Sequence, residues 1–166
     1  MIAPPLPRDL KRLNIYVDGI PYREKCEKVT LPSLKFVFEY FRGGGMDAPI
    51  PIEMGMEPLT LSMTIADCSK ELLDALSKYD IGISLRGTMQ VRGTSEEGVA
   101  ISIRGCCTGC KGSYDFNKPT TVIDYRLHYF KYVQNDKEIV EIDGPNMVRK
   151  FNGVDQLAEY RELLGL

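Results

Sequence analysis

The chain reads as a mainly β protein, an antiparallel barrel or sandwich with flanking helices, and three observations carry that reading. Leu59–Ile65, Ile81–Arg92, Val99–Arg104 and Thr121–Val133 alternate apolar and polar side chains, the two-residue period of a half-buried strand. Turn signals at Asp18-Gly19, Gly93 to Gly98 and Gln134 to Asp136 punctuate the apolar runs. Helical spacing is confined to one internal stretch and one C-terminal stretch. Amphipathic strands at these intervals specify a barrel or sandwich with polar outer faces.

Taken in order, residues 1–12 hold Pro4, Pro5 and Pro7 and are expected to form an extended lead. Leu13–Val17 follows as a strand closed by Asp18-Gly19. Cys26–Phe41 reads as a longer strand broken or bulged at Pro32, with Leu34, Phe36, Phe38 and Tyr40 on one face and Lys35 and Glu39 on the other. In Leu59–Ile65 one face is core and the other is rich in hydroxyls. Ser69 caps a predicted helix over Ser69–Tyr79, whose Leu72, Leu73, Leu76 and Tyr79 form a single stripe.

Ile81–Arg92 and Val99–Arg104 make a hairpin around the Gly93 to Gly98 turn. Thr121–Val133 points Ile123, Tyr125, Leu127, Tyr129 and Val133 inward and Asp124, Arg126 and His128 outward, and Lys137–Asp143 is a further strand. Residues 154–164 are predicted as a short terminal helix with Leu157, Tyr160, Leu163 and Leu164 at helical spacing. Such a helix is marginal alone and needs a surface to dock on. No internal repeat or second-domain boundary interrupts residues 1–166, which read as one domain able to bury about two-thirds of the surface its unfolded chain exposes.

One stretch resists this scheme. Residues 42–58, RGGGMDAPIPIEMGMEP, combine Gly43, Gly44 and Gly45 with Pro49, Pro51 and Pro58. The glycines make the stretch pliable, and the prolines withdraw backbone donors and exclude both a helix and the centre of a sheet. Yet Met46, Ile50, Ile52, Met54 and Met56 are not the residues of a solvated linker. Folded back as a hairpin, the segment projects roughly 25 Å at about 3.3 Å per residue. The reading is an arm that packs on another subunit, its methionines serving as adaptable contacts. The alternative is an arm folded over its own sheet edge.

Composition excludes several function classes. With 21 Lys and Arg against 23 Asp and Glu, the chain lacks the basic excess that grips phosphate backbones. No run of about 18 apolar residues is present, and the N-terminus lacks the apolar core of a signal peptide. The expectation is a soluble chain made in a cytoplasm, with no membrane anchor. Five cysteines, three of them at Cys106, Cys107 and Cys110 in the glycine-rich RGCCTGCKG, fit reduced thiols in a loop. A zinc site through Cys107, Cys110, His128 and one more residue is the sharper alternative. His128 is the only histidine and has no evident nucleophile or orienting acid, so no catalytic residue, metal or cofactor is assigned. Gly43 to Gly45 open no helix, which removes a phosphate cradle.

LNIYVDG (Leu13–Gly19), VTLPSL (Val29–Leu34), YFRGGGMDAPIPIEMGME (Tyr40–Glu57), VEID (Val140–Asp143) and FNGVDQLAEYRELLGL (Phe151–Leu166) resemble the major tail tube proteins of contractile-tailed bacteriophages and of R-type pyocins. The resemblance covers almost the whole chain. It implies a non-enzymatic β-barrel or sandwich subunit. Six copies would form a ring, their strands joining in one inner barrel, and the rings would stack into a hollow tube inside a contractile sheath.

By that resemblance the inter-ring contact arm comprises Arg42, Gly43, Gly44, Gly45, Met46, Asp47, Ala48, Pro49, Ile50, Pro51, Ile52, Met54 and Met56. The acidic edges of the two helices, Glu71 with Asp74 and Glu159 with Glu162, are the candidate sheath contacts. The implied partners are further copies of itself, the sheath, the tape measure protein and baseplate or terminator proteins, with DNA passing transiently through the bore. The implied location is the virion tail, assembled in the host bacterial cytoplasm. A bore that releases DNA is expected to be rich in Ser, Thr, Gln and acidic residues, with any arginine there paired. Two alternatives stand beside this one: a DNA-free contractile bacteriocin or injection system, and a small thiol- or zinc-binding β protein. The segment Gly105 to Gly112 departs from the family, which carries polar and acidic residues there.

Overall fold

The computed structural model describes residues 8–74, 77–91 and 95–166. Its strands are β1 (Arg8–Val17), β2 (Ile20–Pro21), β3 (Cys26–Thr30), β4 (Phe36–Phe41), β5 (Ile50–Met56), β6 (Leu59–Ile65), β7 (Ile81–Val91), β8 (Glu96–Ser113), β9 (Thr120–Gln134), β10 (Lys137–Asp143), β11 (Val148–Phe151) and β12 (Val154–Asp155). The helices are α1 (Lys70–Asp74) and α2 (Ala158–Leu164). Every strand pairing is antiparallel.

Seven strands follow the path β3-β6-β9-β8-β7-β1-β2. The ends of that path, β2 and β3, are joined by only Tyr22 to Lys25, and the Cys26 amide donates to the Tyr22 carbonyl at 3.2 Å. So short a tether draws the two ends together and rolls the sheet into a nearly closed barrel. The inward faces make one core from Ile15, Leu61, Met63, Ile65, Ile83, Leu85, Ile103, Ile123 and Tyr125, with Leu72 of α1 as a plug. Such a core supplies the main stabilising term, about 25 cal/mol for each Å² of apolar surface removed from water.

β9 is the organising strand. One of its edges pairs with β8 throughout, while the other is shared by β6 over Thr121–Leu127 and by β10 over Tyr129–Gln134. From the second half of that edge β10, β11 and β12 extend as a wing. The turns joining these strands carry the positive φ angles of tight hairpins: Asp18 with Gly19, Asn135 with Asp136, and Asn152 with Gly153.

Several sequence expectations are corrected here. The lead does not run to residue 12, because Arg8 to Arg12 already belong to β1 and pair with β7; residues 1–7 lie outside the described part. Tyr129 and Val133 do not point inward. His128 is an extra residue on β9, since Arg104 faces Tyr129 while Gly105 faces Leu127. This bulge reverses the facing of everything after it, so Phe130 is buried, Tyr132 packs on the core, and Tyr129 turns to Glu141.

The RGCCTGCKG stretch is not a loop. It is the second half of β8, and Thr108 supplies a compensating bulge that brings both Cys107 and Cys110 against the core. Glycine is required at Gly105, where a Cβ would lie 2.2 Å from the Arg126 carbonyl oxygen. The internal helix is α1 alone. Leu76 is outside the described residues, and Tyr79 is exposed, not part of a buried stripe. The terminal helix begins at Ala158, because Val154 and Asp155 pair with β11. The Gly93 end of the β7–β8 turn lies outside the described residues.

Candidate functional site

The stretch that resisted assignment is a two-stranded hairpin standing apart from the main sheet. β4 and β5 pair from Phe36 with Met56 to Phe41 with Ile50. Proline is tolerated at Pro51, opposite Tyr40, because a two-stranded ribbon has only edge strands. β5 carries an extra residue near its base, and Gly55 with φ 101° meets the conformation this bulge demands. At the tip, the Met46 amide donates to the Gly43 carbonyl at 3.2 Å, Arg42 Nε donates to the Met46 carbonyl at 3.2 Å, and Gly45 adopts φ 87°.

The base is fastened to the wing. Arg149 lies over the Phe36 ring at 5.1 Å and donates from Nη1 to Glu53 Oε1 at 2.5 Å, and Phe36 meets Phe151 at 6.3 Å between centroids. Met56 packs on the chain's own core, so this member of the predicted arm is not free to contact a partner. Beyond it, Phe38, Tyr40, Phe41, Ile50, Ile52 and Met54 are exposed. The arm is not folded over the barrel edge, and its apolar side chains meet solvent within the single chain. Among the other predicted arm residues, Gly43 and Met46 are half-buried in the tip's own turn, while Arg42, Gly44, Gly45, Asp47, Ala48 and Pro49 are exposed.

Behind the hairpin base lies a groove of about 750 Å³, floored by Leu59, Leu127 and Ile142 and roofed by Tyr160, Leu163 and Leu164 of α2. None of the residues of α2 is buried. Its Gly165 cap is left-handed, and Arg161 ties it down by donating to the Met147 carbonyl at 2.7 Å and to Asp155 at 2.6 Å. The Arg161 contact holds the Asp155 carboxyl below the usual carboxylate range. A similar grip operates on the wing, where Lys150 donates to Glu141 and lowers its pKa.

The acidic residues Glu71, Asp74, Glu159 and Glu162 are all exposed. The two pairs are not brought together: α1 follows the Ile65 end of β6, and α2 roofs the groove at the Leu59 end. The proposed metal ligands are likewise separated. His128 lies 3.6 Å from Asp80, which also pairs with Arg104, whereas Cys107 and Cys110 face the core and burial pushes their thiols up. Among the described residues no group of three His, Cys, Asp or Glu side chains is placed to hold a metal. Arg104 is paired with Asp80, while Arg86 and Arg126 form no ion pair among the described residues. No helix among the described residues is long and apolar enough to cross a membrane.

Sequence reasoning missed three features: the Arg149 clasp, the groove, and the β8–β9 tip, where Tyr114 and Phe116 are exposed. Only the tip left a signal, two aromatics flanking Asp115 between two strands.

These features define an antiparallel β-barrel subunit that carries an apolar arm outside its own core. The chain belongs to the phage tail tube protein family, since the profile described as phage tail tube protein FII matches residues 7–165. It is 32% identical to the tail tube protein of Escherichia phage P2, over 97% of this chain and 99% of that one. It is 27% identical to the major tail tube protein of Serratia phage KSP20, over 89% and 90% of the two chains. Its fold is shared with a chain of the sheath–tube complex of the extracellular contractile injection system PVC, with a TM-score of 0.57, 12% identity and coverage of 78% and 90%. A chain of the anti-feeding prophage tube-terminating cap has a TM-score of 0.59 at 10% identity, covering 80% of this chain and 93% of that one.

Proposed function

We propose that this chain is the non-enzymatic building block of the inner tube of a contractile tail, and that hexameric rings of it stack through the arm at residues 42–58. The observation that carries this reading is the hairpin's exposed apolar surface. Phe41, Ile50, Ile52 and Met54 keep about half of their surface uncovered in their own subunit, and each would contribute about 1 kcal/mol if the remainder were buried against a neighbour. A ring also resolves the open strand edges, because β12 and β3 can pair with the next copy when the ring closes.

The face carrying Ser84, Thr88, Gln90 and Ser102 lines the bore, and Arg12, which lies opposite Thr88, takes carboxylate partners from neighbouring copies together with Arg86 and Arg126. This leaves few free cations to hold DNA in transit. Glu71, Asp74, Glu159 and Glu162 meet the sheath, and tape measure, terminator and baseplate proteins meet the tube's interior and ends. Assembly takes place in the host cytoplasm. A second reading, the same tube in a DNA-free contractile particle, is favoured by the fold shared with chains of PVC and anti-feeding prophage assemblies. Negative-stain microscopy of the purified chain tests the first claim: hollow rods or stacked rings are expected, and material that stays monomeric at high concentration refutes it. Genome-packaging genes beside its own would separate the two particles.

A further inference from the structure

The register of β6 on β9 places two unexplained surfaces at opposite ends of the molecule. Ile65 faces Thr121 at one end of the pair and Leu59 faces Leu127 at the other, six residues and roughly 20 Å apart at about 3.3 Å per residue. Beyond Thr121, at the first end, is the β8–β9 tip. Its Phe116 is 107% exposed and Tyr114 84%. The groove beneath α2 lies at the second end, with Leu59 and Leu127 as its floor. The tip therefore cannot fill the groove of its own chain.

Each surface lacks what the other has. The tip presents two rings that bury about 150–250 Å² each when covered, held by a turn in which the Lys118 amide donates to the Asp115 carbonyl and Asp115 Oδ1 accepts from the Phe116 amide. The groove offers about 750 Å³ between a core floor and the apolar side of a helix with no buried residue. Charge does not stand against the contact: Lys118 is paired with Glu27, so Lys111, Lys118, Asp115 and Glu27 leave the tip without net charge, while Glu53, Glu57, Asp143 and Arg149 leave the groove rim net negative.

We infer that the Tyr114–Phe116 tip of one copy seats in the α2 groove of a second copy, a head-to-tail contact. Because the two surfaces differ and lie at opposite ends of the molecule, the contact can propagate from copy to copy along a stack. It acts beside the arm, which leaves the body at the groove end. This inference rests on the tube reading and adds to it the seat that receives the far end of the next subunit.

The test places a photo-crosslinking benzophenone side chain at position 116 of one preparation and mixes it with isotopically heavy chain before assembly. Cross-links from position 116 of the light chain to the groove of the heavy chain, at residues 157–164 or at Leu59, Leu127 and Ile142 of its floor, are expected. Rods whose cross-links fall on the arm, on residues 1–7 or elsewhere overturn the contact and leave the tube reading standing. Failure of the unaltered chain to form rods at any concentration overturns both. As an independent measure, Tyr114→Ser with Phe116→Ser is expected to raise the concentration at which rods appear by on the order of a hundredfold. Circular dichroism is expected to stay unchanged, since neither ring is buried in the single chain; unchanged rod assembly contradicts the inference.

Discussion

The clasp at the arm's base yields a prediction in which the two partners of one ion pair behave unequally. The Arg149 side chain is 10% exposed and that of Glu53 is 41%. Arg149 Nε is already buried without a hydrogen-bond partner, so Glu53 and the Phe36 ring are its main compensation. Removing the carboxylate by Glu53→Gln leaves a nearly buried guanidinium with a weaker acceptor. Breaking a fully buried pair this way costs about 3–5 kcal/mol; with Glu53 partly in water, about 2 kcal/mol is expected. Arg149→Met removes the buried charge, keeps an adaptable side chain against Phe36, and leaves Glu53 to water, at a cost of about 1 kcal/mol or less.

In thermal unfolding followed by circular dichroism, a loss near 2 kcal/mol lowers Tm by about 4–8 °C in a domain of this size. Glu53→Gln is therefore expected to show the larger fall and Arg149→Met a small one. In both variants limited proteolysis within residues 42–58 is expected to accelerate, because the hairpin loses its fastening. An Arg149→Met variant markedly less stable than Glu53→Gln would refute the argument, since it would mean that the pair's attraction outweighs the cost of burying the arginine.

Gly105→Ala is expected to cost about 3 kcal/mol in denaturant unfolding, because the added carbon meets the Arg126 carbonyl and the Leu127 Cα at 2.9 Å, whereas Gly109→Ala, whose Cβ finds only Asp124 Oδ2 at 3.8 Å, is expected to cost under about 1 kcal/mol. The carboxyls of Asp155 and Glu141 titrate below their usual range because Arg161 and Lys150 donate to them. The stability they lend is complete above about pH 5 and is lost as pH falls through their depressed values, so Asp155→Asn is expected to flatten the acid limb of the stability profile. Charge reversal at Glu71, Asp74, Glu159 and Glu162 is expected to leave tube assembly intact and to abolish sheath co-assembly, read by co-sedimentation with the sheath protein.

Much of the barrel was legible because alternation over β6, β7 and the start of β8 and β9 maps directly onto burial. Leu59, Leu61, Met63 and Ile65 are all core residues, as their spacing demands. The arm was legible as an anomaly, apolar yet unable to be central in a sheet. What sequence hid was set by pairing between distant strands. The bulges at His128 and Thr108 exist only in the register of β8 on β9, so the reversed facing of Tyr129 and the strand conformation of the cysteine stretch leave no local signal. Gly105, Gly109 and Gly112 look like loop formers in isolation, yet all three lie in β8, and Gly105 is the one that lets β9 approach closely. The Arg149 clasp joins residues 96 apart in the chain, beyond the reach of any periodicity.

The central claim, that the arm's apolar side chains are buried by another copy, is tested most directly by shortening it. Replacing residues 41–50 with Asn-Gly joins Tyr40 to Pro51, which already face each other, through a two-residue turn, and spares the clasp and the core. Negative-stain microscopy beside the unaltered chain then decides the matter. A folded subunit that makes single rings at most, where the full chain makes rods, is the predicted result; rods of normal length from the shortened chain would contradict it.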